Sequence, residues 1–361
     1  MHKANQAEKD NEINKCDKCG EKSSITLAYG PHYYCKRHFT QFFEKRFRKT
    51  IRKYKLFNQK EKILIALSGG KDSITLLHLL KKYYSKSNEI EALIIDEGVA
   101  GYRKKAIKAA IEMCKKLGVK HTIISFKEEF GITNDKIMPL ILANPKMGGT
   151  CAFCGTLRRN IMNRYAKKMG ADKLATGHNL DDEVQSFVMN VFNNDFARMK
   201  RMSASSGIIE HKGFVKRIKP LYETPEKEII AYCALNEIKH YSEECCPYSW
   251  TAKRNEYRSM LNHFEERFPG TEHSILRFYE NILPLVRPKK SEKQKLSEKL
   301  IECKKCGEPT EKEICKACEM IEKIKAEIKN GKLKNLKKSN TTNHTKYNKK
   351  LTCVTTKHSA K

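Results

Sequence analysis

Long apolar segments are the first thing that this sequence lacks. The chain of 361 residues begins MHKANQAEKD, with no apolar segment of the signal-peptide kind, and no later apolar run approaches the roughly 20 residues that cross a bilayer. We therefore expect a soluble, cytoplasmic protein with no membrane partner. In that reducing compartment its 14 cysteines, many of them in C-x-x-C pairs, are better explained as metal or redox ligands than as disulfides. Cys114, Cys233 and, less clearly, Cys245 fit the simpler interpretation of buried thiols.

Acidic residues are also scarce. The chain has 72 lysines and arginines against 42 aspartates and glutamates, a net charge of +30. Such an excess either repels itself or is neutralised by a polyanion, so nucleic acid is the first partner to consider, although lysine-rich surfaces are common without one. Residues 329–361 contain ten lysines, no acid and little apolar content, which favours a disordered basic tail. Subtracting those ten lysines leaves +20, so the folded part is basic too.

Short apolar stretches alternate with amphipathic helical ones between about residues 60 and 245. Helical patterns begin near Lys104 and Cys154. The strand candidates are 62–67 (KILIAL), 91–96 (EALIID), 121–126 (HTIISF) and 172–177 (DKLATG). This alternation predicts an α/β fold in which a parallel sheet carries helices on both faces.

Two cysteine clusters flank the alternating region. Each has two short knuckles, separated by fifteen residues in the first cluster and by eight in the second. Each supplies four ligands for a tetrahedral zinc ion with no open position, so we expect structural zinc and no chemistry there. A glycine follows the second cysteine of each cluster, where a small residue lets backbone N–H groups approach the sulfur. The expected ligands are Cys16, Cys19, Cys35 and His38 in the first site, and Cys303, Cys306, Cys315 and Cys318 in the second.

Residues 68–73 (SGGKDS) lie between the first strand candidate and an apolar helical stretch. A glycine-containing turn that opens a helix presents free N–H groups and the positive end of the helix dipole to an anion. The turn lacks the longer G-x-x-x-x-G-K-[ST] pattern, which excludes the usual nucleotide-triphosphatase loop. We therefore predict a phosphate site of another kind.

SGGKDS after a strand resembles the signature of the PP-loop ATP pyrophosphatase superfamily, with its adenine nucleotide α hydrolase-like fold. Those enzymes cleave ATP between the α- and β-phosphates and adenylate a substrate oxygen. Residues 175–183 (ATGHNLDDE) match a second element of that superfamily. The resemblance implies that Lys71 counters charge on the leaving pyrophosphate, that Gly177 approaches the nucleotide, and that Asp182 assists through Mg²⁺, with Asp181 as its competitor. The implied phosphate-binding residues are Ser68, Gly69, Gly70, Lys71, Asp72 and Ser73.

Asp96 ends the second strand candidate, at the sheet edge where nucleotide contacts gather in open parallel sheets. It is interpreted as a nucleotide contact, and the simpler alternative is that it caps the next turn.

Cys151 and Cys154 (TCAFCG) and Cys246 (CCPYS) complete the pattern. Together with SGGKDS, GHNLDDE and a zinc knuckle pair at each end, they make the chain similar to the tRNA 2-thiouridine synthetases, the TtuA-like and cytoplasmic wobble-thiolation enzymes related to TtcA. The resemblance covers nearly all of residues 16–318. It implies that these three cysteines hold a [4Fe–4S] cluster whose open iron carries sulfur to an activated uridine, and that Arg158 and Arg159 lie near nucleotide and RNA.

Two departures limit the transfer of roles. Some members have a catalytic lysine four residues after the second cysteine, where this chain has Arg158, which stays charged and cannot act as a base near neutral pH. Arg158 is therefore interpreted as a phosphate or oxyanion partner. Cys246 is preferred to Cys245 as the third ligand because it directly precedes Pro247, and Cys245 stays open as a substitute or as a persulfide carrier.

The resulting hypothesis is that ATP·Mg²⁺ adenylates O2 of a tRNA uridine, after which sulfur attacks C2 and AMP leaves. The sulfur comes from sulfide or from a ubiquitin-like thiocarboxylated carrier protein, and the basic surface binds tRNA through its phosphates. The wobble uridine is favoured over the T-loop uridine, and a homodimer is compatible with the sequence. The alternatives are a cysteine persulfide without a cluster, and a zinc-containing RNA-binding protein with an inactive nucleotide site.

These interpretations divide the chain into five parts. A PP-loop catalytic domain that carries the iron–sulfur site is flanked by zinc modules and followed by a helical segment and a tail. The expected bounds are 1–45 for the N-terminal zinc module, 46–250 for the catalytic domain, 251–300 for the helical segment, 301–320 for the C-terminal zinc module and 321–361 for the basic, disordered tail.

Overall fold

The computed structural model describes residues 14–30, 32–144, 147, 149–206, 211–242, 246–287 and 299–329. The strands are β1 (Ile25–Leu27), β2 (His32–Tyr34), β3 (Lys62–Ala66), β4 (Glu89–Asp96), β5 (Lys120–Ser125), β6 (Lys173–Ala175), β7 (Ser205–Ser206), β8 (Lys216–Ile218), β9 (Ile301–Glu302) and β10 (Pro309–Thr310). The helices are α1 (Lys36–Lys53), α2 (Lys71–Tyr84), α3 (Tyr102–Leu117), α4 (Phe126–Phe130), α5 (Asn134–Ala143), α6 (Thr150–Lys168), α7 (Leu180–Phe192), α8 (Phe196–Met199), α9 (Glu226–Leu235), α10 (Arg254–Arg267), α11 (Thr271–Val286) and α12 (Lys316–Lys329).

The central sheet has six strands in the order β5-β4-β3-β6-β8-β7. All neighbouring pairs are parallel except β7 and β8, which are antiparallel. The four strands expected from the sequence are all present, and β7 and β8 were not anticipated because strands of two or three residues carry no readable alternation. The predicted α/β fold is confirmed.

Helices cover both faces of this sheet because successive side chains of a strand point to opposite sides. On β3, Ile63 and Ile65 belong to one buried cluster, together with apolar residues of α1, α2, α3, α7 and α9. Leu64 belongs to a second buried cluster, together with residues of α5, α6 and α12. The expected phosphate loop and the Cys151/Cys154 pair therefore lie on elements that pack on one sheet.

The first cysteine cluster is continuous with the core. Cys16 and Cys19 lie in a turn ahead of the β1–β2 hairpin, and Cys35 and His38 lie at the start of α1. Phe39, Phe43 and Phe47 of α1 are completely buried. The ring of Phe43 stacks on Tyr232 of α9, with centroids 4.2 Å apart. Helix α1 runs without a break across the expected domain boundary at residues 45 and 46, so a division at that point stays a prediction.

The second cysteine cluster packs on α6 through β9, β10 and α12. Ala317, Ile321 and Ile324 of α12 are buried in the same cluster as α6. Since α12 continues to Lys329, the basic tail does not begin at residue 321 as expected, and its first residues belong to an amphipathic helix with a buried side. Residues 330–361 lie outside the described residues. None of the described helices has both the length and the apolar character needed to cross a bilayer.

A candidate site for a nucleotide and a metal cluster

The SGGKDS loop is a tight turn built around one hydroxyl. Ser73 Oγ accepts hydrogen bonds from the backbone N–H groups of Ser68 and Gly69, at 3.1 and 3.2 Å, and donates to the carbonyl oxygen of Gly70 at 3.0 Å. Gly69 has φ +94°, in the region that favours glycine, and Gly70 is the N-cap of α2. The loop thus holds its own shape and turns the N-terminus of α2 toward the sheet edge. Ser73 shapes the loop in this structure, and its expected phosphate contact stays a prediction.

Lys71 lies at this loop and contacts two carboxylates. Its Nζ donates to Glu226 Oε1 at 2.5 Å and to Asp72 Oδ2 at 3.3 Å. Burial on its own lowers the pKa of Lys71, but the Asp72 and Glu226 carboxylates outweigh it and raise this pKa above the ordinary lysine value. Lys71 is therefore a fixed positive charge. Glu226 begins α9 and belongs to none of the motifs in the sequence, so sequence reasoning missed it.

Gly177 brings the GHNLDDE segment against the loop. A Cβ atom on this residue would lie 2.9 Å from the backbone nitrogen of Ser73, closer than real Cβ atoms come. The end of β6 and the first turn of α2 therefore meet through a residue that has no side chain. The close contact of Gly177 in this structure is with α2, and its expected approach to the nucleotide stays a prediction.

The adjacent aspartates of GHNLDDE make different contacts. Asp181 is 7% exposed, and its Oδ2 accepts a hydrogen bond from the backbone N–H of Glu226 at 2.7 Å, at the start of α9. Asp182 Oδ1 pairs with Arg254 at 3.1 Å, and its side chain is 22% exposed. Burial on its own raises the pKa of Asp182, but His178 and Arg254 hold it below its ordinary value. Asp182 is thus a carboxylate near the loop, and Asp181 supports a helix terminus.

Asp96 makes the contact that the simpler interpretation describes. Its Oδ1 accepts a hydrogen bond from the backbone N–H of Gly98 at 2.9 Å, which caps the turn after β4. A nucleotide contact by this residue stays a prediction.

A buried arginine that no motif signalled joins this turn to the phosphate loop. The guanidinium of Arg103 is 3% exposed, donates to the carbonyl oxygens of Ser68 at 2.6 Å and Ile95 at 2.9 Å, and pairs with Glu97 at 2.7 Å. A planar fork of donors suits such a set of acceptors. Arg103 therefore ties the end of β3 to the end of β4.

The three expected cluster cysteines lie on two segments that contact each other. Cys151 and Cys154 are in the first turns of α6, which begins at Thr150 and so includes the C-x-x-C pair that the sequence placed ahead of a helix starting near Cys154. Cys246 begins a turn whose Thr251 hydroxyl contacts the hydroxyl of Thr150. The two parts of the expected cluster site are thus adjacent.

The segment that leads to Cys246 is also joined to the phosphate loop. The backbone N–H of Tyr241 donates to the carbonyl oxygen of Gly69 at 2.9 Å, and a parallel bridge pairs Tyr241 with Gly70. Residues 243–245, including Cys245, lie outside the described residues. One chain segment therefore runs from the nucleotide loop to the third cysteine.

The thiols of Cys151, Cys154 and Cys246 suit a cluster better than a single ion. They do not form a group with all sulfur atoms within 4.8 Å, as the ligands of the two outer clusters do. They are near enough to affect one another's ionisation: burial raises the pKa of Cys154 to about 11, Arg158 opposes this, and Cys246 and Cys151 add to it. In an iron–sulfur cluster each thiolate binds a different iron, so the ligands stand farther apart than around one zinc ion. The donor set fits a three-cysteine cluster.

Arg158 lies one turn of α6 beyond Cys154. Its guanidinium is 3.4 Å from Glu97 Oε1, and 46% of its side chain is exposed. Burial on its own lowers the pKa of Arg158, but Glu97 and Cys154 raise it, so the group stays a cation. A Cβ atom on Gly155, the residue after Cys154, would lie 3.2 Å from the guanidinium of Arg159.

The two outer clusters each bring four ligand atoms within 4.8 Å of one another, as the sequence predicted. In the first, Cys16 Sγ is 3.3 Å from His38 Nδ1, and in the second, Cys306 Sγ is 3.6 Å from Cys315 Sγ. Both sets could hold a tetrahedral metal ion. The glycines at 20 and 307 have a different reason from the one expected: nothing lies within 4 Å of a Cβ atom at either, and both have φ +71°. These glycines are favoured by the positive φ of the backbone, and not by a lack of room for a side chain.

Cys114 and Cys233 are buried thiols, as the sequence suggested. Cys233 Sγ is 3.1 Å from the hydroxyl of Thr75, and neither residue lies in the site.

Known proteins share this arrangement. The sequence family described as the PP-loop domain matches residues 36–264. The tRNA 2-thiolation protein NcsA of Haloferax volcanii is 37% identical over 325 residues, covering 86% of this chain and 99% of that protein. The chain belongs to the PP-loop family of tRNA 2-thiolation proteins. A second relative, the tRNA-5-methyluridine(54) 2-sulfurtransferase of Pyrococcus horikoshii, is 35% identical over 307 residues, covering 84% of this chain and 92% of that protein.

A solved structure of this family has the same fold. The U34-tRNA thiolase NcsA from Methanococcus maripaludis, determined with its [4Fe-4S] cluster, superposes with a TM-score of 0.72 at 32% identity, covering 86% of this chain and 96% of that one. The resemblance inferred from SGGKDS, TCAFCG and GHNLDDE is thereby confirmed at the level of the family.

Proposed function

We propose that this protein is a tRNA-uridine 2-sulfurtransferase that uses ATP to replace O2 of a tRNA uridine with sulfur. The observation that carries the proposal is the junction of two sites: the Tyr241–Gly69 hydrogen bond joins the phosphate loop to the segment of Cys246, and Thr251 joins that segment to the helix of Cys151. An enzyme that activates a base with a nucleotide and then delivers sulfur needs both sites within reach of one atom.

The nucleotide half of the site supplies positive charge and helix N–H groups. Lys71 and the N-terminus of α2 face the phosphates, and Asp182 contributes a carboxylate for Mg²⁺. Attack of the uridine O2 on the α-phosphorus forms a P–O bond, breaks the bond to the β-phosphate and releases pyrophosphate. The charge of Lys71 stabilises this leaving group.

The cysteine half of the site receives sulfur. Cys151, Cys154 and Cys246 would hold a [4Fe–4S] cluster, which supplies an iron that no protein ligand occupies. In the second step a C–S bond forms at C2 of the uridine and the C–O bond to AMP breaks. Arg158, a half-exposed cation beside Cys154, balances the negative charge of the AMP that leaves.

The remaining parts of the proposal concern partners and metals. Zinc occupies the two outer sites, as their cysteine-rich donor sets favour. The substrate is tRNA, the target is the wobble uridine, and sulfide or a thiocarboxylated carrier protein provides the sulfur. The U34 specificity of the Methanococcus maripaludis protein supports this choice of uridine.

The first experiment counts metals in three anaerobically purified proteins: the wild type, Cys246→Ala, and Cys114→Ala, a buried thiol outside the site, as the matched control. We expect about four irons per chain in the wild type and the control and almost none in Cys246→Ala. Zinc should stay near two in all three, because its ligands lie elsewhere. Zinc without iron after anaerobic reconstitution would contradict the cluster and favour a cysteine persulfide.

The second experiment incubates the same proteins with tRNA, ATP·Mg²⁺ and sulfide, and measures AMP and 2-thiouridine by chromatography and mass spectrometry. We expect both products from the wild type and the control, with the thionucleoside mapped to the anticodon. If Cys246→Ala forms AMP but no 2-thiouridine, activation of the uridine does not need Cys246, whereas delivery of sulfur does. If the wild type makes neither product while binding tRNA, the protein is an RNA-binding protein with an inactive nucleotide site.

A further inference from the structure

The chain has one tryptophan, and it lies beside the cysteines. Trp250 occupies a single 3₁₀ turn, Ser249–Thr251, four residues after Cys246, and is 49% exposed. Tryptophan has the largest apolar surface of any side chain, so leaving half of it in water forfeits burial free energy that a core position would supply. A single half-exposed aromatic side chain needs no explanation by itself, but the turn of Trp250 contacts Thr150, the residue before Cys151.

The turn that carries Trp250 is held in place from several sides. The backbone N–H of Ser249 donates to the carbonyl oxygen of Cys246 at 2.8 Å, and the side-chain amide of Asn255 donates to the carbonyl oxygen of Ser249 at 2.9 Å. The Thr251 hydroxyl donates to the carbonyl oxygen of Tyr248 at 2.9 Å and contacts Thr150 of α6. The indole therefore stands on a rigid support and not on a loose loop.

The two aromatic residues of this turn have different environments. The hydroxyl of Tyr248 donates to Asp135 Oδ1 at 2.9 Å, which directs that ring toward α5. Trp250, two residues later, keeps half of its surface in solvent. Tyr248 thus anchors the turn, and Trp250 is the half-exposed aromatic residue of the same turn.

Basic residues, which an RNA backbone requires, follow Trp250 in the chain and lie on α6, which its turn contacts. Lys253 is exposed three residues later, and Arg254 begins α10 and pairs with Asp182 of the nucleotide half. Arg158 is half exposed on α6, next to Cys154. An aromatic ring among cations is the common composition of sites that bind unpaired nucleotides.

We propose that the indole of Trp250 is a stacking platform for a nucleobase of the RNA, adjacent to the uridine that reacts. This inference rests on the proposed function and names one contact within it. For chemistry at C2, the uridine must leave the stack of bases, and its neighbour then loses a stacking contact. Stacking of that neighbouring base on an aromatic side chain replaces the lost contact. Trp250 lies four residues after Cys246, and its turn contacts Thr150, the residue before Cys151.

The test compares Trp250→Ala, Trp250→Phe and a control, Phe268→Ala. Phe268 is 56% exposed and ends α10 at the far end from the site, roughly 20 Å along the helix axis. The dissociation constant for unmodified tRNA is measured by filter binding at fixed salt, with iron content as a check on folding. Loss of a base stack should weaken binding roughly 5- to 150-fold in Trp250→Ala, much less in Trp250→Phe, and not in Phe268→Ala.

Fluorescence provides a readout that a structural role would not change. Because position 250 holds the one tryptophan of the chain, indole emission reports on this site in the wild type. We expect tRNA to protect that emission from acrylamide quenching, and a DNA duplex of equal length to protect it much less. The absence of protection would overturn the proposal.

Three outcomes separate the alternatives. Equal tRNA affinity in Trp250→Ala and the wild type overturns the stacking contact while leaving the thiolation proposal intact. If that variant binds tRNA normally but loses turnover only with a carrier protein as sulfur donor, the ring docks the carrier and the RNA proposal is overturned. If the wild type makes no 2-thiouridine, the proposed function fails, and the affinity comparison still decides whether the indole contacts RNA.

Discussion

A Cβ atom on Gly69 would stand 2.0 Å from the carbonyl oxygen of Ala106. Ala106 belongs to α3, so the backbone of this helix packs directly against the phosphate loop. Gly69 also has φ +94°, and its carbonyl oxygen accepts the hydrogen bond from Tyr241. One residue without a side chain thus lets α3, the loop and the segment that leads to Cys246 pack together.

We expect Gly69→Ala to destabilise the protein by at least about 1–3 kcal/mol, because the new methyl group meets backbone and the backbone conformation is strained. Its neighbour provides the control: Gly70 has φ −77°, and the nearest atom to a Cβ there is Ser68 Oγ at 3.7 Å. Gly70→Ala should therefore fold like the wild type. Thermal unfolding of both variants measures the difference in stability, and ATP affinity is measured on the same proteins. Equal unfolding midpoints for the two variants would contradict the prediction.

The two aspartates of GHNLDDE should respond differently to substitution. Asp181→Ala should cost about 0.5–2 kcal/mol of stability, because the oxygen that accepts from the backbone N–H at the start of α9 is lost. Asp182→Asn loses the ion pair with Arg254 but keeps an oxygen that can accept from the backbone N–H of Asn179, so it should cost less stability, and it should lower turnover with ATP·Mg²⁺. Unfolding midpoints and AMP formation are measured on both. The reverse pattern would make Asp181 the functional residue.

The sequence predicted what is local. The strand, loop and helix of residues 62–84 follow from an apolar run, two glycines and an amphipathic stretch, and the two groups of four candidate metal ligands follow from the spacing of their knuckles. In each case the information lies within a few neighbouring residues.

The sequence did not indicate contacts between distant segments. Glu226 lies 155 positions after Lys71, and Arg103 lies 35 after Ser68, and both are charged residues of the kind that usually stays on the surface. Only the tertiary fold shows that one is paired at the loop and the other is buried. The same holds for β7 and β8, and for the bounds of α6 and α12, because neighbouring elements decide where a marginal strand forms or a helix ends.

Arg103 provides a test of the junction between the strand ends. Arg103→Met should cost about 3–5 kcal/mol, because it leaves the buried Glu97 carboxylate without its main partner. Adding Glu97→Gln to this variant should recover part of the loss, since the uncompensated charge disappears. A double-mutant cycle by thermal unfolding measures the coupling between the two residues. Additive effects would mean that the two side chains do not act as a pair.

A buried carboxyl on α11 should make stability depend on pH. Glu272 is 3% exposed, and its Oε1 has no hydrogen-bond partner among the described residues. Burial raises its pKa to about 9, and the nearby carboxylates of Asp181, Glu265 and Glu226 add to the effect while Lys227 opposes it. The folded protein therefore keeps this proton across a pH range in which the unfolded chain, with an ordinary glutamate pKa of 4.5, releases it.

Because the folded state binds more protons than the unfolded state in that range, the free energy of unfolding falls as the pH rises from about 5 to 9. Glu272→Gln has no proton to lose, so its stability should vary less with pH, and at pH 9 it should exceed the wild type by about 1–3 kcal/mol. Glu256→Gln, an exposed change on α10, controls for the loss of one negative charge. The thermal unfolding midpoints of the three proteins, measured between pH 5 and 9, show how strongly the stability of each depends on pH. If the curves of the wild type and Glu272→Gln run parallel, the carboxyl is ionised in the folded state, and a neighbouring cation or water must stabilise it.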